Sequence, residues 1–95
     1  TQGSFRRDYG LTDQMRRSSV SVPSNIAEGD ERDTDKDAIR FFYMAKGSLA
    51  ELRTQLEISN QIEYLNENAF QDLDEKAVTI GKMLGSLIKA RSKGV

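Results

Sequence analysis

Residues 34 to 62 read T-D-K-D-A-I-R-F-F-Y-M-A-K-G-S-L-A-E-L-R-T-Q-L-E-I-S-N-Q-I. Within them Ala38, Phe42, Ala45, Leu49, Leu52, Leu56 and Ser59 recur at alternating steps of four and three. That is the heptad spacing of a helix that keeps one face against its neighbours. Thr34 is a good N-cap, and Asp37 three residues later makes a capping box with a shortened acid. A helix over about 35–62 follows. Its start, Ala38-Ile39-Arg40-Phe41-Phe42-Tyr43-Met44-Ala45, is apolar almost all the way round. One bundle face cannot bury all of those side chains, so cover is expected on several sides. Gly47-Ser48 in mid-helix costs about 1 kcal/mol of helix propensity relative to alanine. Such a pair is expected where another backbone comes close.

On the C-terminal side, Tyr64-Leu65-Asn66 makes a turn, with Asn66 as the next N-cap. A helix over about 67–92 has the seam Phe70, Leu73, Ala77, Ile80, Leu84 and Leu87, and Gly94 marks its stop. On the N-terminal side, a helix over about 12–29 starts at Thr12, a good N-cap following Gly10. At 100° per residue its seam is Leu11, Met15, Val22, Ile26 and Gly29. A second stripe lies beside it: Gln14, Arg17, Ser21, Asn25, Glu28 and Arg32, all polar. Serines stand at 18, 19, 21 and 24, and small side chains let another backbone approach. Pro23 frees the carbonyl of Ser19 and is expected to bend the helix. Asn25 and Glu28 are expected to bond to a neighbouring helix or subunit, as a packed polar ladder that gives specificity.

Short connectors between long helices make neighbours antiparallel. The expected fold is therefore all-α, an up-down antiparallel helical bundle in one domain over residues 1–95. Ninety-five residues build only a thin core. No cysteine and no histidine is present, so disulfides, thiolate metal sites and the commonest general base are excluded. No apolar run approaches a membrane span and no signal peptide is visible, which makes the cytoplasm the expected compartment.

Net charge is −1, but it is arranged in blocks. Arg6, Arg7, Arg16 and Arg17 make the start basic. Acids dominate residues 28–37 and 57–75. From Lys82 onward Lys89, Arg91 and Lys93 stand without any acid. Blocks of this kind polarise a surface and bear on partners more than on fold. Asp33, Asp35 and Asp37 have the first spacing of a calcium loop, but Ala38 stands where its glycine should be and Met44 where its glutamate should be. Lys46-Gly47-Ser48 is like the end of a phosphate-binding loop without the upstream glycines. Neither is a site, so no metal, no cofactor and no enzymatic activity is expected.

The blocks L-T-D-Q-M-R-R-S-S-V-S-V-P-S-N-I-A-E-G and I-R-F-F-Y-M-A-K-G-S-L-A-E-L-R-T-Q-L resemble the four-helix-bundle family of 23S rRNA intervening-sequence proteins over about residues 5–90. That family is similar in turn to the accessory proteins of diversity-generating retroelements. The resemblance implies a bundle whose first helix would precede Thr1, leaving three long helices here, and assembly as a homopentameric ring. Its signature positions fall on Arg17, Ser21, Asn25, Glu28, Gly29, Arg32, Gly47, Ser48, Glu51 and Leu52. It supplies no biochemical activity. Two uses stay open: association with RNA or DNA through Arg6, Arg7, Arg16, Arg17, Lys82, Lys89, Arg91 and Lys93, or service as a scaffold that binds another protein. No aromatic RNA-reading motif is present.

Overall fold

The first helix begins before its threonine. The computed structural model describes residues 9–93, and in it α1 spans Tyr9–Asp30. Thr12 therefore lies inside the helix and does not cap it. A threonine cap is worth about 1 kcal/mol. Half-burying Leu11 on the seam offers at least as much, so the helix extends backward to include it. The helix also runs unbroken through Pro23. The expected stop at Gly94 lies outside the described residues.

Helix α2 spans Asp35–Gln61 and α3 spans Glu67–Ser92. Both begin at the caps the chain supplies. Thr34 Oγ1 accepts from the Asp37 N–H at 3.1 Å, and Asn66 Oδ1 accepts from the Ala69 N–H at 2.8 Å. Asp37 does not close the capping box; its carboxylate accepts from Arg40 at 3.1 Å instead. Helix α2 ends in a tight reversal at Glu63, which has φ 66°. A left-handed non-glycine residue costs about 1–2 kcal/mol. The reversal offsets this by bringing the N–H groups of Tyr64 and Leu65 onto the Ser59 carbonyl at 2.8 and 3.3 Å.

The result is an all-helical up-down arrangement with no strand among the described residues. Helix α2 is central and packs against both α1 and α3, which do not pack against each other. The molecule measures 51 × 22 × 13 Å, little more than one helix thick. Val22, Ala38, Phe42, Ala45, Leu49 and Leu84 are the buried centre. Gly29 is buried at the end of α1, where a Cβ would stand 2.6 Å from Phe42 Cε1 and 3.0 Å from the Ala38 carbonyl.

Two expectations about packing need correction. In α3 the buried residues are Ala77, Leu84 and Ile88, whereas Leu73 and Leu87 are 39% and 37% exposed. Among the described residues α3 packs against α2 alone, so it is rotated toward α2 and part of its seam is left exposed. Gly47 has no close neighbour among the described residues, since a Cβ there would meet nothing within 4 Å. The close approach inside the chain is at Gly29. The many-sided apolar start of α2 is likewise only partly covered. Phe42 is buried, Ile39 and Phe41 are half-buried, and Tyr43 and Met44 are 55% and 47% exposed.

Candidate functional site

Because α1 and α3 stand apart, an apolar groove runs between them over α2. Its floor is Leu49 and Leu52, its α1 wall includes Val22 and Ile26, and its α3 wall includes Ile80 and Met83. This part encloses about 420 Å³. It continues into about 360 Å³ more, beside Met15, Leu56 and Leu73. Arg16 and Lys76, one on each wall, are the charged side chains that line it. Met83 is 61% exposed at its edge. An apolar surface of this kind suits apolar partners.

The polar ladder lies on the opposite side of the α1–α2 pair. Ser21 Oγ and Ser48 Oγ share a hydrogen bond of 2.7 Å between the two helices. Asn25 donates to the Ser21 carbonyl at 2.9 Å and to Ser21 Oγ at 3.0 Å. Helical spacing places Ser21 and Asn25 one turn apart, so the amide can brace the serine that crosses to α2. Glu28 pairs with Arg32, whose Nε also donates to the Glu28 carbonyl at 3.0 Å. The Arg32 guanidinium lies 4.9 Å from the Phe41 ring centre, and that of Arg40 lies 4.8 Å from it. Arg17 pairs with Asp13 at 3.0 Å within its own helix. The expected contact to a neighbouring helix is thus made by Ser21 and Ser48. Glu28 stays within α1, with its side chain 54% exposed. Gly47 and Glu51 are exposed on the same side.

The structure divides the cationic candidates. Arg16 and Arg17 both turn to Asp13, at 3.3 and 3.0 Å. Arg91 is tied to Asp35 at 2.9 Å, joining the end of α3 to the start of α2. Arg6 and Arg7 lie outside the described residues. Lys82, Lys89 and Lys93 are all exposed. At 100° per residue they share one stripe of α3, and none forms an ion pair among the described residues.

Sequence reasoning missed the ion pair that joins the middle of α2 to α3. Arg53 Nε and Nη2 donate to the Asp74 carboxylate at 2.9 and 3.2 Å. This hydrogen bond holds the Asp74 carboxyl below its ordinary value and raises Arg53 above its own. The antiparallel layout was the available signal. It sets the start of α2 beside the end of α3, which is where Asp35 meets Arg91. No group of acids among the described residues could hold a metal ion, and no helix among them is long and apolar enough to cross a membrane.

The comparisons agree with this layout. The family model for 23S rRNA-intervening sequence protein matches residues 1–86. The chain belongs to that family. A solved structure from Bacteroides thetaiotaomicron is similar to it. That protein is described as one of unknown function from the S23 ribosomal protein family. The two share 26% identity and a TM-score of 0.81, over 83% of this chain and 73% of that one. No functionally curated protein matches the chain.

Proposed function

We propose that this member of the 23S rRNA-intervening sequence protein family is a non-enzymatic, self-associating helical bundle that holds a nucleic-acid backbone along α3. The observation that carries the nucleic-acid reading is the stripe of Lys82, Lys89 and Lys93, exposed and without ion pairs among the described residues. The steps of seven and four residues space the lysines roughly 10 and 6 Å apart along the helix. Such spacing lets each lysine reach a different phosphate, and lysine acts on phosphate as a flexible point charge. The half of α3 that carries the stripe contains no acid, so its field is not cancelled locally. Assembly into a ring of five, as the family resemblance implies, would repeat the stripe and multiply its charge.

The test is binding of single-stranded RNA and duplex DNA at graded salt. The logarithm of affinity should fall linearly with the logarithm of salt. Changing Lys82, Lys89 and Lys93 together to glutamine should reduce the slope by about 2–3, the loss of three phosphate contacts. An unchanged slope, or no retention at low salt, removes the nucleic-acid role. A second reading, a scaffold that binds another protein, is favoured by one specific observation. The groove between α1 and α3 is long, apolar and open.

A further inference from the structure

The outer side of the α1–α2 pair carries two rows with the same spacing. Arg17, Ser21, Ser24 and Glu28 follow steps of four, three and four on α1, and Arg40, Met44, Gly47 and Glu51 repeat them on α2. Each row spans a sector of about 60° of its helix, at 100° per residue. The rows lie on one side of the molecule, away from the apolar groove, because Ser21 bonds Ser48 there and Arg32 reaches Phe41 there. Each row runs from a cation through small or apolar residues to an anion. The helices are antiparallel, so Arg17 lies level with Glu51, and Glu28 level with Arg40. All four charged residues are exposed, as are Ser24, Met44 and Gly47.

We propose that this face pairs with the same face of a second copy of the chain about a two-fold axis that crosses both helices. The midpoint between Arg17 and Glu28 is also the midpoint between Ser21 and Ser24. The midpoint between Arg40 and Glu51 is also that between Met44 and Gly47. The Ser21–Ser48 bond fixes the register of α1 against α2. In that register the two midpoints fall about one residue apart, roughly 1.5 Å along the axis, so one two-fold serves both helices. Arg17 of one copy then opposes Glu28 of the other, and Arg40 opposes Glu51. Met44, 47% exposed, opposes Gly47, whose missing side chain leaves open space. The serines between the charges let the two α1 helices approach closely.

This pairing accounts for a glycine in mid-helix that no contact among the described residues requires. The face is two helices wide and three to four turns long, about 500 Å² per copy, which puts the pair near the lower limit of specific interfaces. The contact goes beyond the ring proposed above. A ring closes through unlike surfaces, whereas this contact is isologous and would join two chains, or two rings.

The chain has no cysteine, so single cysteines report the contact directly. Ser24→Cys lies near the axis and should be joined to its own copy by a short bis-maleimide, giving dimer and nothing larger. Met83→Cys, in the groove on the opposite side, should give none. Glu51→Arg should weaken the dimer at least tenfold by sedimentation, and adding Arg40→Glu should restore it, with helicity unchanged in both. A multi-chain mass by light scattering with no cross-linking at position 24 overturns the contact and leaves self-association standing. A single-chain mass overturns both.

Discussion

Gly29→Ala is the sharpest test of the packing. The structure places a Cβ at this position 2.6 and 2.8 Å from two carbons of the Phe42 ring and 3.0 Å from the Ala38 carbonyl oxygen. Phe42 is only 1% exposed, so its ring has nowhere to swing, and the carbonyl belongs to a helix backbone. Overpacking a tight site costs about 1–3 kcal/mol. The propensity gained by replacing glycine in a helix offsets about 1 kcal/mol of that. A net loss of up to about 2 kcal/mol is expected, which for a chain of this size lowers Tm by up to roughly 16 °C. Gly85→Ala is the internal control, because a Cβ there meets nothing within 4 Å. It should stabilise the chain by about 0.5–1 kcal/mol. Urea denaturation followed by circular dichroism measures both. Gly29→Ala at least as stable as the parent, with Gly85→Ala behaving as stated, would refute the account of how α1 seats against α2.

Asn25→Ala removes two hydrogen bonds to Ser21 and should cost about 1 kcal/mol, whereas Glu28→Ala removes one exposed pair within α1 and should cost under about 0.5 kcal/mol; equal losses in denaturation would contradict this ranking. The Arg53–Asp74 pair lowers the pKa of Asp74 in the folded chain. Its contribution is therefore present above the ordinary carboxylate range and is lost as pH falls through the folded value. Both side chains are partly exposed, so the effect is under about 1 kcal/mol. Comparing Asp74→Asn with the parent near pH 7 and near pH 2 should show a stability gap at the higher pH that narrows at the lower, and a gap independent of pH would argue against the pair. Thr34→Ala removes the cap on Asp37 N–H and should cost about 1 kcal/mol by the same assay.

Much of this fold was legible because its signals are local. Thr34 and Asn66 sit where their oxygens reach the third residue of each helix, and each caps as its spacing indicates. The α2 seam is buried at Ala38, Phe42, Ala45, Leu49 and Leu56. The start of α1 was misjudged because a cap competes with burial, and burial of Leu11 depends on tertiary packing. Leu87 and Ile88 are neighbours of equal apolarity. Which of them is buried depends on how far α3 rotates toward α2, and no periodicity reveals that. The groove was not legible either, since a heptad seam marks what is apolar and does not say what covers it. In the polar ladder the side-by-side placement of Ser21 and Asn25 was readable from helical spacing. The crossing to Ser48 required the register of two helices. The cationic candidates were separated only by their partners: Arg91 meets Asp35 across 56 residues of sequence, while Lys82, Lys89 and Lys93 meet no acid among the described residues.

The central claim is that this chain associates with itself and presents the lysine stripe to nucleic acid. Light scattering on the 95-residue chain at micromolar concentration and low salt, with and without single-stranded RNA, tests both parts at once. The account predicts a mass of several times 10.7 kDa for the protein alone, and a further increase with RNA that is reversed by salt. A mass of one chain, unchanged by RNA, would contradict it.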